Sequence, residues 1–151
     1  MKEKIELHIP NTIGAEKTAI DKAASIAREM GFSDDRVEDL KTAVSEACIN
    51  AIEHGNKFDL DTKVGIILTP YDSSLEVTIH DEGNGIDPEK IPKTREESNG
   101  FPKRRGYGIF LIRSLVNEMS FASEPGKGND VKMIIHLGNS KKLVNQLDAE
   151  E

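Results

Sequence analysis

Two apolar stripes with helical spacing follow one another with little more than a glycine between them. Ala19, Ala23, Ile26, Ala27 and Met30 form the first stripe, and Gly31 is a natural C-terminal stop. Val37, Leu40, Val44, Ala47, Cys48 and Ala51 form the second, which Ser33 or Asp34 can cap and Gly55 stops after His54. The spacing predicts helices over about 15–30 and about 34–54. Two amphipathic helices in succession need an apolar surface to cover, and alternating segments supply it. Ile5, Leu7 and Ile9 alternate up to Pro10. Val64, Ile66 and Leu68 alternate again, and the turn Asp72-Ser73-Ser74 leads to Leu75, Val77 and Ile79, which predicts a hairpin. A third main helix is predicted from Gly106 to Asn117. Two strands follow, near Met119–Ser123 and Val131–Leu137, joined by the turn PGKGN. The tail beyond Gly138 reads either as a flexible segment or as a short helix through Leu143 and Leu147. The order β-α-α-β-β-α-β-β predicts an α+β two-layer sandwich, with three main helices on one face of a mixed sheet.

Length and composition narrow the class. The 151 residues suit one domain spanning 1–151 with a core that needs no staples. Apolar residues make up 36% and charged residues 31%, a globular balance rather than a disordered one. A net charge of −7 argues against a chain that mainly wraps nucleic acid. Cys48 is the single cysteine, so no internal disulfide forms and a reducing compartment is expected. On the buried stripe, Cys48 reads as a small core residue rather than a redox sensor. The N-terminal MKEKIELHIPN lacks the apolar core of a signal peptide, and no apolar run reaches membrane-span length. A cytoplasmic protein without membrane contact is expected.

Three segments carry chemistry. On the second helix, Glu46, Asn50 and Glu53 share a face opposite Val37, Val44 and Ala51. The plain alternative is a solvated helix face. Against it, Ala43 and Ala47 flank the acid and amide with small side chains, leaving room for a ligand. A carboxamide oxygen is a hard, neutral Mg²⁺ ligand. A carboxylate one turn away can take a proton from a water or alcohol attacking a γ-phosphate. Second, Asp81 ends a strand and enters Glu82-Gly83-Asn84-Gly85-Ile86. This is either an ordinary polar strand end or an adenine site. A buried carboxylate accepts from the exocyclic amine of adenine and repels the carbonyl that guanine presents there. Gly83 and Gly85 let the backbone approach a flat base.

The third segment is the charged stretch from Asp81 to Arg105, a loop long enough to be functional. Lys90 and Lys93 read as solvated. Lys103, Arg104 and Arg105 abut Gly106-Tyr107-Gly108-Ile109, where a glycine-opened helix N-terminus offers free N–H groups and a favourable dipole to phosphates. No strand precedes this glycine pair as in a dinucleotide fingerprint, and no G-x-x-x-x-G-K-[ST] is present, which excludes a P-loop.

Taken as a set, EACINAIEHGN, HDEGNGI and KRRGYGIFLI occur in the order and spacing of one known pocket. The chain resembles the GHKL ATPase superfamily, the Bergerat fold, and within it the bacterial anti-sigma-factor serine kinases of the RsbW type. The resemblance runs from the first strand to Leu137. By position it implies Glu46 as general base and Asn50 as Mg²⁺ ligand. It implies Asp81 on the adenine amine, with Gly83, Gly85 and Ile86 beside the base. The long loop becomes an ATP lid carrying Lys103, Arg104 and Arg105, and Gly106, Tyr107, Gly108 and Ile109 lie along the phosphates. Glu53 and His54 fall at the edge of the pocket, His54 reading as a helix cap. The chain departs from the family near its last strand, where a threonine often reaches the adenine region. Here the residues are Gly128-Asn129-Asp130-Val131, in which Asn129 can stand in as a donor and ionised Asp130 can only accept.

The chain has no segment for a phosphoacceptor helix, and His8, His54, His80 and His136 do not sit as one would, which separates it from sensor histidine kinases. The resemblance therefore implies a protein serine/threonine kinase. It would use ATP and Mg²⁺ on a small STAS-type anti-anti-sigma partner, bind a sigma factor, and form a homodimer. Two other readings stay open: an ATP-gated binding module without transfer, and a slow ATPase with water as acceptor.

Overall fold

Ser33 starts the second helix as its sequence predicts. In the computed structural model its Oγ accepts the Arg36 N–H at 3.2 Å from an extended backbone, and Asp34 and Asp35 in the first turn complement the helix dipole. The structure describes residues 3–83, 103–124 and 126–138, with the side chains of 103–107 and 124 outside the description. The elements are β1 (Ile5–Pro10), α1 (Glu16–Met30), α2 (Asp34–Asn50), β2 (Lys63–Pro70), β3 (Ser74–Asp81), α3 (Lys103–Leu115), β4 (Glu118–Glu124) and β5 (Gly128–His136). Gly31 closes α1 at φ 96°, donating its N–H to the carbonyls of Ala27 and Arg28. The tail helix predicted beyond Gly138 and most of the predicted loop lie outside the described residues.

The sheet order is β1-β2-β3-β5-β4, and every pairing is antiparallel. The expected mixed sheet is thus corrected, for a topological reason. Two helices separate β1 from β2, so the chain returns running the other way. The strands β3 and β4 run parallel, but β5 inserts between them and opposes both.

Side-chain alternation sorts the sheet into a helix-covered face and an open one. On the covered face, cross-strand rows run Leu68–Val77–Met133–Met119 and Ile66–Ile79–Val131–Phe121. The next row along is Asp81–Asn129–Ser123, so the periodicity that buries the core carries three polar side chains onto its last rung. Ala19, Ala23 and Ala27 of α1, and Val37, Leu40, Val44 and Cys48 of α2, are buried against this sheet.

Two features position α3 and the end of α2. Buried Arg36 donates to the Leu115 carbonyl at 2.9 Å and to Asn117 Oδ1 at 2.8 Å, and pairs with Asp39 at 2.8 Å, which fastens the start of α2 to the end of α3. The second helix does not stay α-helical to His54. Ala51–Gly55 forms a π-helical turn, and Asn56 N–H reaches the Ala51 carbonyl at 2.7 Å. Such turns insert one residue into the ladder and recur at functional sites.

Candidate functional site

Asp81 is buried and fully committed on one oxygen. Its Oδ1 accepts the Asn129 Nδ2–H at 2.8 Å and the Gly83 N–H at 2.9 Å. Asn129 also donates to the Gly83 carbonyl at 2.8 Å, and its Oδ1 accepts the Ser123 hydroxyl at 2.6 Å. No donor among the described residues reaches Asp81 Oδ2. Glycines pack around this acid because nothing larger fits. A Cβ at Gly55 would run into the Asp81 carboxylate, and one at Gly83 into the Gly55 carbonyl oxygen. At Gly128, with φ +85°, a Cβ would strike the Asp81 carbonyl oxygen. The π turn is what delivers Gly55 to this contact. The next residue, Asn56, accepts Glu82 N–H at 2.7 Å and donates to the Lys63 carbonyl at 3.2 Å, clamping the exit of β3 to the exit of the helix.

Beside Asp81 a cleft of about 520 Å³ opens between α2, α3 and the sheet. Its apolar lining includes Ala47, Ala51, Ile79, Ile109, Phe121 and Val131, and Asn50, Asp81, Ser123, Asn129 and Asp130 add the polar groups. Apolar walls with a few convergent polar groups suit a flat heteroaromatic ligand.

At the α3 side of the cleft, Glu46 and Asn50 meet Gly108. A Cβ there would lie 2.8 Å from Glu46 Oε2 and 3.3 Å from Asn50 Nδ2, so a side chain at this position would press on both. Asn50 is buried and its Nδ2 finds no hydrogen-bond partner among the described residues. Such an unpaired atom is costly in a core. A half-turn of the amide presents its oxygen to the same position instead, and a neutral oxygen one turn from a carboxylate is a donor set that suits Mg²⁺. Among the described residues no hydrogen bond or ion pair engages the Glu46 carboxylate, which is half-buried.

The structure brings Asn50, Asp81, Ile109 and Asn129 together around the cleft, with Gly83 bonded to Asp81 and Glu46 at the cleft's end with Gly108. It corrects several expectations. Ala47 lines the cleft, whereas Ala43 is fully buried in the core and leaves no room for a ligand. Glu53 and His54 sit on the π turn, and His54 Nε2 lies 3.7 Å from Glu53 Oε2. Lys103, Arg104 and Arg105 are already helical, so Gly106 does not open the third helix. The side chains of Lys103 to Tyr107, and all of Gly85 and Ile86, lie outside the described residues. Cys48 is buried, and burial, with a smaller push from the Glu16 carboxylate, raises its thiol from 9.0 to about 12. That agrees with a core residue and not a reactive one. Gly55, Asn56 and Ser123 were not read as site residues. Gly55-Asn56 directly follows the helix bearing Glu46, and Ser123 shares a strand register with Asn129, which are the signals that could have found them.

Comparison with known proteins agrees with this geometry. The family model for the histidine kinase-like ATPase domain matches residues 9–135. The chain is 32% identical over 146 residues to the anti-sigma F factors of Bacillus velezensis and Bacillus subtilis, covering 96% of this chain and 100% of each relative. It is 34% identical over 135 residues to the serine-protein kinase RsbW of Bacillus thuringiensis, covering 82% of this chain and 80% of the relative. Among solved structures, the RsbU and RsbW domains of a Mycobacterium tuberculosis protein match with a TM-score of 0.65 at 19% identity, over 90% of this chain and 33% of that one. The mycobacterial sensor histidine kinase MprB matches with a TM-score of 0.52 at 16% identity, over 90% of this chain and 97% of that one. Among the described residues no helix is long and apolar enough to cross a membrane. A family match running from the end of β1 through β5, across every element that builds the cleft, makes this chain a member of the histidine kinase-like ATPase family, the ATP-using GHKL group.

Proposed function

We propose that this chain is an ATP-dependent serine/threonine protein kinase and anti-sigma factor. It phosphorylates a small anti-anti-sigma partner of the STAS type and binds a sigma factor in the alternative state. It acts as a single ATPase domain over its whole length, as a cytoplasmic homodimer. The observation that carries the reading is the Glu46 carboxylate held against Gly108 beside Asn50, without a hydrogen-bond or ion-pair partner among the described residues. A nucleotide-gated binder has no need of a free base at that point. The names of the relatives, anti-sigma F factor and serine-protein kinase RsbW, support the same reading.

The division of labour follows from the side chains. Asp81 takes the adenine amine on Oδ2, and the apolar walls of the cleft hold the ring. Glu46 accepts the proton of the partner's serine hydroxyl as its oxygen bonds to the γ-phosphorus and the bond to ADP breaks. Asn50 is the side chain that would hold Mg²⁺, and the metal would supply positive charge against the phosphates. Lys103, Arg104 and Arg105 stand in the α3 first turn, where backbone N–H groups and helix dipole favour phosphate. Phosphate added to the partner breaks its complex by charge repulsion and desolvation cost.

The test is to recover partners of the tagged protein from host lysate supplied with Mg-ATP, beside a Glu46→Gln variant, and to weigh the bound and released proteins intact. A small partner that gains one phosphoserine with wild type and none with the variant is the expected result. A partner held only with ATP and never modified makes the chain a binding module. Phosphate released without any modified partner makes it an ATPase.

A further inference from the structure

We propose that Asn129 determines base selectivity, by occupying one oxygen of Asp81 so that the cleft accepts adenine and refuses guanine. The inference rests on the reading that Asp81 receives the base.

A carboxylate can be read in two ways by a purine. With a single free oxygen it accepts one N–H, such as the exocyclic amine of adenine. With both oxygens free it accepts two parallel N–H groups, which is what guanine offers along its N1–H and 2-amino edge. Acid chemistry alone therefore does not select adenine, since a slightly shifted guanine would satisfy a free carboxylate better. In this protein Oδ1 is already taken twice, by Asn129 Nδ2 at 2.8 Å and Gly83 N–H at 2.9 Å. Only Oδ2 is left for the base, and the two-pronged guanine pose is closed.

Asn129 is held so that it cannot release that oxygen. Both amide hydrogens are placed, on Asp81 Oδ1 and on the Gly83 carbonyl, and its own oxygen accepts the Ser123 hydroxyl at 2.6 Å. Turning the amide over would set its oxygen against a carboxylate and a carbonyl at once. The three residues also share one register row across β3, β5 and β4, which fixes their spacing by the sheet itself. Asn129 has no donor to spare for a base, so it acts as a positioning residue through Asp81. Ser123 is the next link in the same chain.

Two variants of equal shape separate the donor from the packing. Asn129→Thr keeps one donor for Asp81, and Asn129→Val keeps the β-branched form suited to a strand but no donor. Calorimetry on the full chain would measure dissociation constants for Mg-ATP and Mg-GTP, with thermal melts confirming folding. Wild type should prefer ATP strongly, and Asn129→Thr should keep most of that preference. Asn129→Val should lower the ATP-to-GTP ratio by about tenfold or more, the scale of one hydrogen bond to a charged group. A ratio unchanged in Asn129→Val, whether both affinities fall together or neither moves, overturns the role of Asn129 and leaves the adenine reading of Asp81 standing. A wild type that binds both nucleotides equally, or neither, overturns the adenine reading and this inference with it.

Discussion

Gly108→Ala separates the proposed catalytic role of Glu46 from its structural surroundings. The new Cβ would sit 2.8 Å from Glu46 Oε2 and 3.3 Å from Asn50 Nδ2. Carbon and oxygen settle at roughly 3.3–3.6 Å, so the carboxylate must retreat by about 0.5–0.8 Å. It is the far end of a flexible side chain, and moving it costs about 0.5–1.5 kcal/mol if it leaves its rotamer. Replacing glycine by alanine inside a helix contributes about 1 kcal/mol in the other direction. Net stability therefore stays within about 1 kcal/mol of wild type, or about 4 °C in Tm for a chain of this size. Catalysis is less forgiving, since a displacement approaching 1 Å costs up to about 100-fold when a base must meet a proton in one geometry. The expected result is a 10- to 100-fold lower phosphotransfer rate at saturating Mg-ATP, estimated as about that range from the same displacement, with a nearly unchanged melt. Initial rates on the recovered partner and a thermal melt of the same preparation measure both. Transfer at the wild-type rate in a protein that melts normally would refute the base assignment. A melt lowered by much more than this would refute the premise that the Glu46 carboxylate can step aside.

The same substitution has a different outcome at Gly83, where the Cβ meets the Gly55 carbonyl oxygen, a backbone atom that cannot step aside. Gly83→Ala should cost about 1–3 kcal/mol in denaturant unfolding, and an unchanged midpoint would contradict the contact. Asp81→Asn keeps an oxygen for Gly83 N–H and Asn129 Nδ2, so it should fold. It should lose ATP affinity by roughly 10- to 100-fold in calorimetry, and a loss below about twofold would contradict the adenine contact. The Cys48 thiol holds its proton to about 12 when folded and releases it near 9.0 when unfolded, so its stability contribution is complete below pH 9 and lost as pH rises toward 12. Over that window wild type should lose up to about 1.4 kcal/mol per pH unit relative to Cys48→Ala, and parallel pH–stability curves would contradict it.

Alternation and helical spacing made the elements legible, because each has one buried face that repeats with its own period. Ser33 as N-cap, Gly31 as C-cap and the hairpin around Ser73 are local chemistry, and local chemistry reads directly from sequence. The π turn at Ala51–Gly55 is not local. It sets Gly55 against the distant Asp81 carboxylate, where a Cβ would clash. The start of α3 was misplaced by three residues for a related reason. Gly106 and Gly108 look like helix openers, yet Gly108 is required inside the helix, where Glu46 and Asn50 crowd it. The sheet was expected to be mixed because strand order is set by where β5 inserts, which no strand's own pattern records. Asn129 was visible as a donor near the base, but its double commitment to Asp81 and Gly83 depends on register across three strands.

The proposed function requires one cleft with two ends, base at Asp81 and phosphates at Glu46 and Asn50. A crystal structure with Mg²⁺ and a non-hydrolysable ATP analogue tests it most directly. The account predicts the adenine amine on Asp81 Oδ2, the metal on Asn50, and the γ-phosphate beside Glu46 at the α3 first turn. A nucleotide bound with its base away from Asp81, or with its phosphates directed away from Glu46 and Asn50, would contradict it.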